Sequence, residues 1–154
     1  MLTDFHILGV TEEELGPSLL QRMENIALLR LDCAAAGVDI PIHVFGALDA
    51  LTTLFYFVAG ADVFDGLSWL RYGFTEGIST SRRNYMALAG APDRSDAAAN
   101  ARMIQNNLIY LEKMRLTIKK FAIDYDFTRL GEQSHHVREA FDALRTRPRL
   151  RGRL

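Results

Sequence analysis

Asp65 closes a short apolar run, residues 61–64, and is followed at once by Gly66. If the run is a strand, its carboxylate stands at the carboxyl end, where glycine lets a ligand approach closely. A carboxylate in that position can attack, or stabilise, a carbon that becomes cationic as a bond breaks. It can equally cap a helix beginning at Leu67. Six residues on, Arg71 can hold a phosphate or pair with a surface acid such as Glu76, while Trp69 and Tyr72 can stack on a base or fill a core. Asp62 points to the opposite face of the strand from Asp65 and suits tying down the strand's start. His43 reads as a hydrogen-bonded core histidine. His135 and His136, about 100° apart on a helix, do not easily share one metal.

The elements that must position these residues follow from the pattern around them. Residues 40–46 form a second short apolar run ended by Gly46, and runs of this kind suit parallel strands covered on both faces. The stretch 49–60 carries no charge after Asp49 and has room for a short crossover helix, with Asp49 as cap and Gly60 as stop. Residues 5–10 read as a first strand, and Thr11-Glu12-Glu13-Glu14 as a cap with an acidic first turn. Pro17 then suits the first turn of a main helix, whose stripe is Leu19, Leu20, Met23, Ile26, Ala27, Leu31 and Ala34. Gln21, Arg22, Glu24, Asn25 and Asp32 lie largely opposite, Cys33 borders the stripe as a small core residue, and Gly37 ends the helix. Residues 5–66 thus predict strand, helix, strand, helix, strand, all parallel.

Beyond Asp65 the pattern changes. Residues 68–74 read as helical and 75–96 as loop-rich. Asp93 or Ser95 can cap a long helix to about Phe121, with a stripe of Ile104, Leu108, Leu111, Ile118 and Phe121. A last helix follows Ser134, with Val137, Ala140, Phe141 and Leu144 on one face. The end, RTRPRLRGRL, has no fold of its own in this reading.

Composition excludes several classes. A hydrophobic fraction of 49% with 24% charged residues is globular rather than disordered. The single cysteine rules out an intrachain disulfide and a thiolate cluster for zinc. The start of the chain lacks the pattern of a signal peptide, and the longest uncharged run, residues 50–61, is far short of a membrane span. A cytoplasmic protein with no membrane partner is expected. Six arginines from Val137 onward oppose Glu139 and Asp142, a local charge of +4 against −5 for residues 1–136. Arg145, Arg147, Arg149, Arg151 and Arg153 alternate with other residues, which suits an extended basic arm on phosphates or a solvated terminus.

GADVFDGLSWLR resembles the strand G-x-D-x-F-D, with an arginine six residues after the second aspartate, of the tRNA-guanine transglycosylase superfamily. PIHVFGALD is similar to that family's preceding strand and glycine loop, in a form nearest to archaeal-type members and to related enzymes that insert 7-deazaguanines into DNA. FHILGVTEEELG resembles the strand before it in the latter group, so the likeness spans about residues 4–74. The resemblance implies an α/β fold: three βα units from the C-terminal part of a TIM-type (β/α)8 barrel, with a helical extension. It implies that Asp65 is the nucleophile of a pentosyltransferase that exchanges guanine for a 7-deazaguanine base in tRNA or DNA. By the same resemblance Phe45, Gly46 and Ala47 would line the base pocket and Arg71 would contact the nucleic-acid backbone; Gly66, read from its lack of a side chain, would admit the substrate, and the tail arginines, read from their spacing, would add phosphate contacts.

Two departures shape the expectation. The family's zinc motif, three closely spaced cysteines and a histidine, is missing after residue 74, so no cofactor is expected. The first half of the barrel is also missing, so the chain by itself is expected to be inactive. It would need a barrel-completing polypeptide, or self-association. A non-catalytic nucleic-acid-binding subunit and a truncated inactive fragment are the alternatives. The domain boundaries that follow are 1–90 for the barrel part, 91–146 for the helical extension and 147–154 for the basic tail.

Overall fold

The computed structural model describes residues 5–89 and 95–153. In chain order the elements are β1 (Leu8–Thr11), α1 (Leu19–Ala35), β2 (Ile42–Phe45), α2 (Thr52–Val58), β3 (Val63–Phe64), α3 (Ser68–Arg71), β4 (Tyr72–Thr75), β5 (Ile78–Ser81), α4 (Arg82–Leu88), α5 (Asp96–Asp124) and α6 (Ser134–Arg145). A 3-10 turn, Phe127–Leu130, lies between α5 and α6. The chain is mixed α/β and divides into two compact units. One comprises residues up to Ala47, Thr52–Asp65 and His136 onward; the other comprises Leu48–Leu51 and Gly66–His135. These boundaries are not those expected: the last helix and tail belong with the parallel strands, and residues 66–89 with the long helix.

The first unit is built on a parallel sheet of order β1-β2-β3, with Leu8 opposite Ile42, Thr11 opposite Phe45, and His43 opposite Val63. Alternation along β2 decides its faces. Ile42 and Val44 are fully buried, with Met23, Ile26 and Ala27 of α1 and Tyr56 of α2 in the same unit's core. His43 is half-buried and Phe45 exposed, so the second face of the sheet is partly open rather than covered. Arg30 and Asp62 lock the opposite end. The Asp62 carboxylate accepts from the Arg30 guanidinium and from the Ile42 N–H at 2.8 Å. This is the tie at the strand's start that its position suggested.

α1 begins at Leu19, two residues after Pro17, with Ser18 as cap accepting from the Gln21 N–H at 3.3 Å. Thr11 and Glu14 still bond reciprocally, but they close a turn and not a helix. At the other end Gly37, with φ +68°, turns the chain so that the Val38 N–H reaches the Cys33 carbonyl.

The tail corrects the sequence reading most. Residues 146–153 fold back as turns on α1, with Leu150 fully buried. Arg147 donates from Nε and Nη2 to the carboxylate of Glu24 at 2.9 and 2.8 Å, Arg149 donates to Asn25 at 3.1 Å, and Arg153 lies 3.8 Å from Asp32. Glu24, placed by periodicity on the solvent side, is buried because this arginine returns to it. Arg147→Ala is therefore expected to cost about 3 kcal/mol in urea unfolding, since it leaves a buried carboxylate uncompensated. Exposed Arg151 replaced by alanine is expected to change stability by less than about 0.5 kcal/mol.

In the second unit α3 is a single turn, and residues 72–81 are not helix and loop but an antiparallel hairpin, Tyr72 opposite Ser81. Glu76 and Gly77 both have positive φ, 48° and 77°, as a two-residue hairpin turn of the right twist requires. Gly73 lets the Tyr85 ring of α4 lie on the hairpin backbone; a Cβ there would sit 2.1 Å from the ring. Ser95 caps α5; Asp93, the other expected candidate, lies outside the described residues. Its buried face is Ala99, Met103, Asn107, Met114 and Phe121, while Leu108 of the expected stripe is 52% exposed. Apolar residues occur on two faces of this helix, and the hairpin packs on the one carrying Asn107.

Candidate functional site at the carboxyl edge of the sheet

β1, β2 and β3 end at Thr11, Phe45 and Phe64, and the residues that follow, Glu12, Gly46 and Asp65, share the carboxyl edge of one parallel sheet. In parallel α/β sheets that edge is where ligands bind. Gly46 adopts φ +78°, and its N–H donates to Oδ1 of Asp65, after the neighbouring strand, at 2.8 Å. The Asp65 side chain is 55% exposed. No side chain caps α3, so the helix-capping reading of Asp65 finds no support; the carboxylate is committed to Gly46.

His43 stands beside it. Its Nε2 is 3.7 Å from Oδ2 of Asp65, and that nitrogen is buried without a hydrogen-bond partner. The imidazole leans on the Phe45 ring, with centroids 4.1 Å apart and planes tilted by 44°. Phe45 in turn lies over Gly9 of β1, where a Cβ would come within 2.6 Å of the ring. The ring is 42% exposed and offers an apolar surface next to the carboxylate.

Other expected residues lie elsewhere. Ala47 is buried, and its carbonyl accepts from the Thr53 hydroxyl at 3.1 Å, so its methyl cannot line an open pocket. Gly66 and Arg71 belong to the second unit. Arg71 is exposed at the end of α3. Among the tail arginines, Arg147, Arg149 and Arg153 are engaged by α1, whereas Arg145 and Arg151 are exposed. His136 lies 3.7 Å from Glu139, and among the described residues no group of three His, Cys, Asp or Glu could hold a metal ion.

One cluster at this edge escapes sequence reading. The Tyr56 hydroxyl donates to Oε1 of Glu12 at 2.6 Å, and Arg22 donates to the same oxygen at 2.8 Å. Glu12 read as one acid of a helix's first turn; the signal that could have found it is Tyr56, a hydroxyl in an uncharged helix that needs a partner once buried. The cluster fastens the end of β1 to both helices. Burial, and then the bond to Glu12, push the Tyr56 hydroxyl up to about 12. The folded chain thus holds this proton more tightly than the unfolded one. Its contribution to stability is therefore present below about pH 10 and is lost as pH rises through about 12. Urea unfolding across that window is expected to show the fall. In Tyr56→Phe only the part carried by Tyr110 remains, a hydroxyl raised to about 12 by burial and then by Glu132 and Asp49.

No helix is long and apolar enough to cross a membrane among the described residues. Comparison with protein-family models, with curated proteins and with solved structures finds no match.

Proposed function

We propose that this chain supplies the nucleophile-bearing part of a pentosyltransferase that exchanges guanine for a 7-deazaguanine base in tRNA or DNA. The observation that carries the reading is the Asp65 carboxylate, half-exposed at the carboxyl end of β3 and oriented by the Gly46 N–H beside the Phe45 ring. In the reaction an Asp65 oxygen forms a bond to C1′ as the glycosidic C–N bond breaks, and the departing base takes a proton. The incoming base then displaces Asp65 from C1′ and releases a proton. Two displacements at one centre retain the configuration.

The three parallel strands correspond, in this reading, to the last part of a TIM-type barrel. Among the described residues the outer edges of β1 and β3 pair with no other strand, and such edges favour pairing with further strands. A barrel-completing polypeptide, or a second copy, fills that role. The alternative of a purely nucleic-acid-binding module loses ground because Arg147, Arg149 and Arg153 are taken up by Glu24, Asn25 and Asp32.

The test is incorporation of labelled guanine into tRNA and into duplex DNA by the complex that the tagged chain forms in its own cells. Incorporation into either supports the reading, and incorporation into neither overturns it.

A further inference from the structure

We infer that His43 is a positioning residue for Asp65, a step that rests on Asp65 being the nucleophile. The two oxygens of the carboxylate are treated differently. Oδ1 is fixed by the Gly46 N–H at 2.8 Å, whereas Oδ2 faces the unpartnered Nε2 of His43 across 3.7 Å. That distance is just beyond a hydrogen bond. A buried nitrogen left without a partner in a folded core needs a reason, and here the reactive carboxylate lies 3.7 Å away.

The neighbouring charges are committed elsewhere. Glu12, after β1, is held by Arg22 and Tyr56, and Asp62, at the far end of β3, is held by Arg30. The Phe45 ring covers one side of the imidazole and keeps it turned toward Asp65.

Water solvates an open carboxylate. When a nucleoside covers Asp65 that water leaves, and a small rotation brings the Nε2–H within hydrogen-bond reach of Oδ2. Gly46 then holds the oxygen that becomes the ester carbonyl, and Oδ2 bonds to C1′. In the second displacement the C1′–Oδ2 bond breaks, its electron pair returns to Oδ2, and the His43 N–H stabilises the returning charge. No proton changes hands between the two residues.

Two variants and two readouts test this. In the base-exchanging complex His43→Leu is expected to lower kcat about tenfold with KM nearly unchanged, and His43→Gln, which keeps an N–H donor, to recover most of the loss. In the chain by itself, imidazole nitrogen NMR is expected to show the neutral His43 proton on Nε2 and a changed Nε2 resonance in Asp65→Asn. A proton on Nδ1, or a resonance indifferent to Asp65→Asn, would make His43 a core ring only. The NMR arm decides the His43–Asp65 contact even if no base exchange is found, so its failure is distinct from failure of the transglycosylase reading.

Discussion

Asp65→Asn is expected to lower base exchange by about a thousandfold or more, ~4 kcal/mol of barrier, while nucleic-acid binding by the same complex changes less than about twofold. The amide keeps the size of the carboxylate, and its oxygen can still accept from the Gly46 N–H, so the strand end stays in place. What disappears is the charge that meets a cationic sugar centre and the oxygen that bonds to it. Because the side chain is half-exposed, unfolding free energy is expected to move by less than about 0.5 kcal/mol. More than about a tenth of wild-type turnover in the variant would reduce Asp65 to a strand-end tie.

The largest stability effect is expected at Asn107. This residue is fully buried on α5, and its amide satisfies three backbone groups of other elements. Oδ1 accepts from the Phe74 N–H at 2.8 Å, and Nδ2 donates to the carbonyls of Trp69 and Tyr72 at 2.6 and 2.7 Å. Asn107→Leu fills similar space but leaves all three unpaired in a dry site. At about 1 to 3 kcal/mol for each orphaned group, with incomplete additivity, the loss is expected near ~4 kcal/mol. Urea unfolding followed through Trp69 fluorescence reads this directly. A loss under about 1 kcal/mol would mean that water or a shifted hairpin replaces the amide.

These positions divide sharply in how far they can be read from the chain. Val44-Phe45-Gly46 and Val63-Phe64-Asp65-Gly66 are legible because local signals agree: short apolar runs, each closed by a residue that stops a strand. The order and direction of the three strands follow from the crossover lengths between them. The hairpin is harder, since Trp69 to Phe74 carries apolar residues at a spacing that a helix also accepts. Only the Glu76-Gly77 turn, between Tyr72-Gly73-Phe74-Thr75 and Ile78-Ser79-Thr80-Ser81, separates the two readings.

Glu24 and Asn107 are not legible at all from periodicity. A polar side chain earns a buried place through partners distant in sequence, Arg147 for the one and the α3–β4 backbone for the other. His43 is intermediate: a histidine on a strand invites the reading of a satisfied core ring, and only the fold reveals that its free nitrogen faces Asp65.

The most direct test of a covalent role for this edge of the sheet is to let the active complex react with labelled tRNA or DNA in the absence of an incoming base, then denature, digest and sequence the labelled peptide by mass spectrometry. The prediction is a sugar-linked nucleic-acid adduct on the peptide containing Asp65, absent from Asp65→Asn. An adduct on another residue, or base exchange that proceeds with no adduct on this chain, would contradict it.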